Sequence, residues 1–199
     1  MSRKPFLVSL CLLAFLGYSF QTPKATKWTI SRSCSLKVAG STNINKFNCE
    51  IANYYKPDTL TLYKINSTDG LKISGKMKLE INNFDCHNPV MTADLRKTLK
   101  AKTFPHLTIN FLTLDRYPDF KDKTGEIKGK VNIELAGVVK QFDVNYNFLT
   151  TGVNALTLVG TRRVNFSDFK ITPPRKLGGM IETNNELDIE FNLQLKVLN

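Results

Sequence analysis

Apolar and polar residues alternate along most of this chain. In the last stretch Leu187, Ile189, Phe191, Leu193, Leu195 and Val197 alternate with Asp188, Glu190, Asn192, Gln194 and Lys196. The same pattern runs through Leu71, Ile73, Met77, Leu79 and Ile81, through Ile127, Val131, Ile133 and Leu135, and through Phe142, Val144, Tyr146 and Phe148. Neighbouring side chains of a strand point to opposite faces, so each segment reads as a strand with one wet face and one dry face. Weaker runs cover residues 28–38, 47–54, 60–65, 107–114 and 156–166. Together they predict about eight or nine strands. Turn signals stand at Asp69-Gly70, Thr124-Gly125, Ala136-Gly137 and Gly178-Gly179. One-sided strands belong to antiparallel sheets, and no β-α-β rhythm argues for a parallel one. A barrel or a sandwich satisfies this pattern.

One segment departs from it. Residues 94–111 read DLRKTLKAKTFPHLTINF. Leu95 and Leu99 stack one helical turn apart, with Arg96, Lys97, Lys100 and Lys102 around them, which predicts a short basic amphipathic helix. Thr92 is the expected N-cap, and Asp94 complements the helix N-terminus. Pro105 ends the helix and pushes Phe104 toward extended geometry. A lone helix in an all-β chain suggests a container with a lid. Its apolar side (Leu95, Leu99 and Phe104) is expected to face the interior.

The first residues are expected to lie outside the fold. Arg3 and Lys4 precede an apolar run from Phe6 to Phe20, which has the length of a secretory signal core and is short for a membrane span. Residues 1–21 are therefore read as a signal peptide and 22–199 as one domain. Removing Arg3 and Lys4 lowers the net charge from +11 to +9. Such a balance steers anionic partners, and export argues against nucleic acid among them. It also permits disulfides. Cys34, Cys49 and Cys86 remain, enough for one bridge and one free thiol. Cys49–Cys86 with Cys34 free is the favoured pairing. Cys34–Cys49 across a hairpin competes with it, and three buried thiols are the third reading.

Catalytic signatures are scarce. There is no G-x-S-x-G, P-loop or H-E-x-x-H motif. The only histidines are His87 and His106. Cys86-His87 with Met91 superficially resembles a copper ligand set, but the plainer reading has Cys86 bridged, His87 in a loop and Met91 packed under the helix. No metal, cofactor or catalytic residue is assigned. The aromatic residues Phe111, Phe142, Tyr146, Phe148 and Phe191 fall on dry faces. They form the core of a solid sandwich or the lining of a barrel cavity.

Several segments, in order, resemble the YceI-like family of exported lipid- and polyisoprenoid-binding proteins. They are KWTISRSCSLKVAG from Lys27; Asp94, Leu95 and Leu99 followed by Phe104 to Phe111; Glu126-Ile127 through Gly137 to Phe142; and NFSDF from Asn165 to Phe169. The resemblance covers residues 27–198. It implies an eight-stranded antiparallel, lipocalin-like β-barrel with one short helix, an exported and periplasmic location, and non-catalytic binding of an isoprenoid or other amphipathic lipid. Cys49, Cys86 and the STNINKF segment look like a variant of some exported members. Three positions depart from the family pattern: Cys34 stands for its His, Phe166 for its Arg and Lys170 for its Gly.

On this basis Met77, Leu79, Ile81, Leu95, Leu99, Phe104, Phe111, Ile133, Phe142, Tyr146, Phe148, Phe191 and Leu193 are the expected ligand-binding residues. Arg96, Lys100, Lys170 and Arg175 are the headgroup candidates, and transient contact with a membrane surface is expected. The alternative is a filled β-module whose basic surface docks on acidic envelope components.

Overall fold

In a computed structural model the described residues are 25–64 and 70–198. The expected signal segment and Asp69 of the expected Asp69-Gly70 turn lie outside them. The strands are β1 (Ala25–Ile30), β2 (Ser35–Thr42), β3 (Lys46–Ile51), β4 (Thr59–Lys64), β5 (Leu71–Ser74), β6 (Lys76–Glu80), β7 (His106–Leu114), β8 (Thr124–Leu135), β9 (Val138–Gly152), β10 (Ala155–Asn165), β11 (Arg175–Lys176) and β12 (Ile181–Leu198). A single α-helix, α1 (Pro89–Thr98), lies between β6 and β7.

These strands form a closed, eight-stave antiparallel barrel with one helix. The long strand β12 organises it. One edge of β12 pairs with β10; its other edge pairs with β2 along the N-terminal part and with β1 along the C-terminal part. Thus β1 and β2 are two halves of one stave, and the run read in sequence as residues 28–38 breaks between them. The expected strand from Leu71 to Ile81 likewise divides into β5 and β6 at Gly75, whose φ of +154° suits glycine. Ile81 leaves the strand for a short 3-10 turn and is fully buried. The expected Thr124-Gly125 turn is instead the start of β8. The Ala136-Gly137 turn is a tight hairpin between β8 and β9, with φ values of +50° and +79°.

The two ends of the barrel close differently. At one end, the floor, the ring β12-β1-β4-β5-β7-β8-β9-β10 is backbone-paired all round. At the other end, the mouth, β3 pairs with β2 and β6 pairs with β7, but β3 and β6 share no ladder. Two reciprocal bonds bridge that gap: Glu50 N–H to Asp85 C=O at 2.8 Å and Asp85 N–H to Glu50 C=O at 2.9 Å. The Cys49–Cys86 disulfide stands beside them, and Cys34 is a buried free thiol, its pKa pushed up by burial.

The interior of the floor half is packed with apolar side chains. Trp28, Leu62, Ile127, Tyr146, Phe148, Leu156, Leu158 and Leu193 are each buried to 3% exposure or less. The Tyr146 ring occupies space that a side chain at residue 160 would need: a Cβ there would sit 2.5 Å from it. Burial pushes the Tyr146 phenol up. Trp28 Nε1–H donates to the Tyr117 hydroxyl at 3.1 Å, and the two rings meet edge-on at 5.4 Å.

The helix begins earlier than Thr92. Asn88 is its N-cap, accepting from Met91 N–H at 3.0 Å, with Pro89 in the first turn. Thr92 sits buried in that turn, where its hydroxyl accepts from Cys86 N–H at 3.0 Å. At the other end Lys100 adopts a φ of +56°, Lys100 N–H bonds Lys97 C=O and Ala101 N–H bonds Arg96 C=O. This is a Schellman closure with lysine in the place usually held by glycine.

Near the mouth β9 and β10 separate, their ladder ending at Thr161 opposite Asn145. The Phe166–Phe169 turn covers the seam. Phe169 packs on Phe142 at 5.9 Å, Arg162 lies over the same ring, and Lys140 donates to Asp168. Burial alone would push the Asp168 carboxyl up. The Lys140 ammonium, the Asn165 N–H and Arg162 together outweigh it and hold the group below its ordinary value.

Two outcomes are expected from this architecture. Cys49→Ala/Cys86→Ala should lose about 4 kcal/mol of unfolding free energy by the chain-entropy relation for a loop of this length. In native-state hydrogen exchange, β3 and α1 should lose protection through local opening beyond what the global loss imposes on β1 and β4; an equal loss in all four would contradict the local role given to the bridge. A depressed native carboxyl pKa stabilises fully above the unfolded value near ~4 and loses that contribution as pH falls through the native value. Urea unfolding should therefore show wild type more stable than Asp168→Asn at pH 7, with the gap narrowing toward pH 3. A gap independent of pH would contradict the assignment.

Candidate functional site

The mouth half of the barrel contains a cavity of about 50 Å³. Its wall is formed by Leu36 and Val38 of β2, Leu107 and Ile109 of β7, Ile133 and Leu135 of β8, Val164 of β10, and Leu187, Ile189 and Phe191 of β12. Phe84, Leu95 and Leu99 close it from the helix side, and Phe166 and Phe169 from the seam. Every lining residue is apolar. The helix reaches this position because its N-cap is three residues from Asp85, which is bonded to β3, and two from the bridged Cys86.

Outside the cavity lies a larger groove of about 370 Å³. One wall is Asn88, Val90, Met91, Asp94, Leu95 and Thr98 of the helix; the other is Thr42, Phe47 and Cys49 with Pro174, Lys176, Ile181 and Thr183. Lys176 Nζ meets Asp94 Oδ1 at 2.6 Å, tying the β11 segment to the helix. Asp94 therefore serves this ion pair instead of the first helical turn, where it was expected. The Phe47 ring lies over Gly40, where any Cβ would sit 2.3 Å from it. Leu95 and Phe166 belong to both spaces and form the partition between groove and cavity.

Of the residues expected to bind ligand, Leu95, Leu99, Ile133 and Phe191 line the cavity. Met77, Ile81, Phe111, Phe142, Tyr146, Phe148 and Leu193 are buried in the surrounding core. Leu79 is also buried and borders a separate open space of about 410 Å³ with Tyr54 and Lys78. Phe104, expected to face inward, is 37% exposed and packs over Gly137, in an outer depression with His106 and Glu134. The chain reverses at Lys100, and Phe104 N–H bonds back to its carbonyl, which turns the ring outward.

The headgroup candidates do not converge on one point. Arg96, expected to face water or a headgroup, folds back so that Nη2–H donates to Phe84 C=O at 2.9 Å. Its Nε is buried without a partner among the described residues. Lys100 is the left-handed residue closing the helix, and Lys170, at φ +53°, is the left-handed residue closing the Phe166–Phe169 turn. Arg175 pairs with Glu182 at 3.5 Å. Lys176 comes nearest to the groove.

Sequence reasoning missed Leu36, Val38, Phe84, Leu107, Ile109, Leu135, Val164, Phe166, Phe169, Leu187 and Ile189 as lining residues. Alternation marks Leu36, Val38, Leu187 and Ile189 as inward-facing but does not say which end of the barrel is hollow. Cys86 is committed to a disulfide, and His87 approaches Glu50 at 3.6 Å in a loop. Among the described residues no group of three His, Cys, Asp or Glu side chains is placed to hold a metal ion, and no helix is long and apolar enough to cross a membrane.

No family model matches the chain, and no curated protein matches it in sequence. Solved structures do match in shape. A polyisoprenoid-binding domain from Saccharophagus degradans, implicated in plant cell wall breakdown, superposes with a TM-score of 0.63 at 11% identity, over 86% of this chain and 98% of its own. BcnA from Burkholderia cenocepacia superposes with a TM-score of 0.58 at 14% identity, over 81% of this chain and 95% of its own. A YceI protein from Campylobacter jejuni aligns over 100% of this chain and 99% of its own at 15% identity, with a TM-score of 0.46 too low to carry an argument. The chain has the barrel fold of the first two proteins, the fold that its YceI-like segments imply.

Proposed function

We propose that this protein is an exported, YceI-like, non-catalytic carrier of an isoprenoid or other amphipathic lipid. The observation that carries the reading is the wholly apolar cavity under α1, which shares Leu95 and Phe166 with the lining of an open groove. The groove has the size of small-molecule sites, roughly 300–1,000 Å³. The ligand chain would enter there and displace the two partition side chains to reach the cavity. Each methylene taken from water contributes about 0.8 kcal/mol of gross driving force. The polar end would stay in the groove beside Lys176 and Thr183. Of the expected ligand-binding set, Leu95, Leu99, Ile133 and Phe191 are the members proposed to touch the chain. The polyisoprenoid-binding domain of like fold supports the ligand class.

A second reading draws on the small size of the cavity. A barrel that stays filled would act through its basic exterior, binding acidic envelope components in a salt-sensitive way. Native mass spectrometry of protein purified from its own host distinguishes the two. Carriage is expected to show a co-purifying lipid with wild type, and little or none with Val38→Phe, which fills the cavity from β2. Delipidated wild type and Val38→Phe should unfold at similar denaturant concentrations, so that loss of lipid is not loss of fold. Wild type without lipid, and with no uptake of a fluorescent isoprenoid probe, would favour the filled module.

A further inference from the structure

Three separate segments bring large apolar side chains to the rim of the groove and leave them in water. Ile44 at the tip of the β2–β3 hairpin is 61% exposed, Val90 in the first turn of α1 70%, and Leu177 and Met180 between β11 and β12 are 67% and 71%. Their placement is held, not incidental. Asn43 Nδ2–H donates to Met180 C=O at 2.9 Å, and its Oδ1 accepts from Glu182 N–H at 3.1 Å, which joins the hairpin to the β11–β12 segment. Lys176 and Asp94 join that segment to the helix.

The tip itself is built at a conformational cost. Leu177, Gly178 and Gly179 have consecutive φ values of +51°, +65° and +99°. Left-handed backbone is unfavourable for leucine, and the two glycines beside it stand in open space: beyond their chain neighbours, no atom lies within 4 Å of where a Cβ would stand at either. A strained, unpacked turn that aims leucine and methionine outward fits a surface met outside the protein.

We propose that this rim inserts into the headgroup layer of an anionic lipid bilayer, with the groove opening onto the membrane surface. Charge selects the occupant. Lys46 follows the hairpin tip, Lys97 lies on α1 and Lys170 opens the β11–β12 approach, all exposed. Arg175 and Lys176 stand beside the tip, each paired with one carboxylate, Glu182 and Asp94. The whole chain carries +11. Apolar tips with basic flanks bind bilayers by shallow insertion plus attraction to anionic lipid. This docking does not depend on what the barrel carries.

Tryptophan reporters on the whole chain test it. Trp28, the one native tryptophan, is buried and serves as a constant background. With phosphatidylcholine–phosphatidylglycerol vesicles, Leu177→Trp should shift to the blue and be quenched by brominated lipid. Val153→Trp, 92% exposed on the β9–β10 turn at the floor end, should do neither. Adding Met180→Asp to the Leu177→Trp protein should weaken vesicle binding about tenfold. A silent Leu177→Trp, or equal quenching of both reporters, would overturn the proposal. So would concentration-dependent dimers that shift Leu177→Trp without lipid, which would make the rim a contact between copies.

Discussion

At the mouth β3 shares no ladder with β6; the Cys49–Cys86 bridge and the paired backbone bonds of Glu50 and Asp85 join it to the segment that follows β6 and leads into the helix. A barrel is stable because it leaves no strand edge unpaired. Here the ladder round the barrel is interrupted at the end where the helix has to fit, and a covalent link reinforces the two backbone bonds that span the break. The arrangement of α1 follows from it. The chain leaves Cys86, caps the helix with Asn88 and lays Leu95 and Leu99 across the opening. The groove is the space left between that helix and the β2–β3 hairpin, so its width depends on the same bridge.

Much of the fold was legible because period-2 alternation is a strong signal. Phe142, Val144, Tyr146 and Phe148 are all buried, and the Ala136-Gly137 hairpin falls where its residues place it. The favoured Cys49–Cys86 pairing is the one the structure contains. What was not legible has local causes. Strand breaks between β1 and β2 and at Gly75 do not disturb alternation enough to be seen. The helix starts before Thr92 because Asn88-Pro89, a cap residue followed by proline at the first helical position, is the stronger start signal. Phe104 does not share the side of Leu95 and Leu99, because it lies beyond the Schellman closure, where the chain has already reversed. Alternation also cannot report depth, so residues at the packed floor and at the hollow mouth looked alike.

Phe166, Lys170 and Cys34, the three positions that set the sequence apart from the pattern it resembles, each have a local physical role. Phe166 puts an aromatic ring into the partition between cavity and groove, where an arginine would need a polar partner. Lys170 sits at φ +53°, a conformation that glycine adopts at little steric cost and lysine does not. Cys34 is buried and takes a hydrogen bond from Gln194 N–H at 3.1 Å, a role that needs only a small side chain.

The Trp28–Tyr117 contact at the opposite end has a different sort of consequence. It closes that end of the barrel with an indole whose only polar atom is already bonded. The packed half between that indole and the small cavity is a plug, so any deepening of the cavity has to start from the mouth side, where the helix and its groove lie.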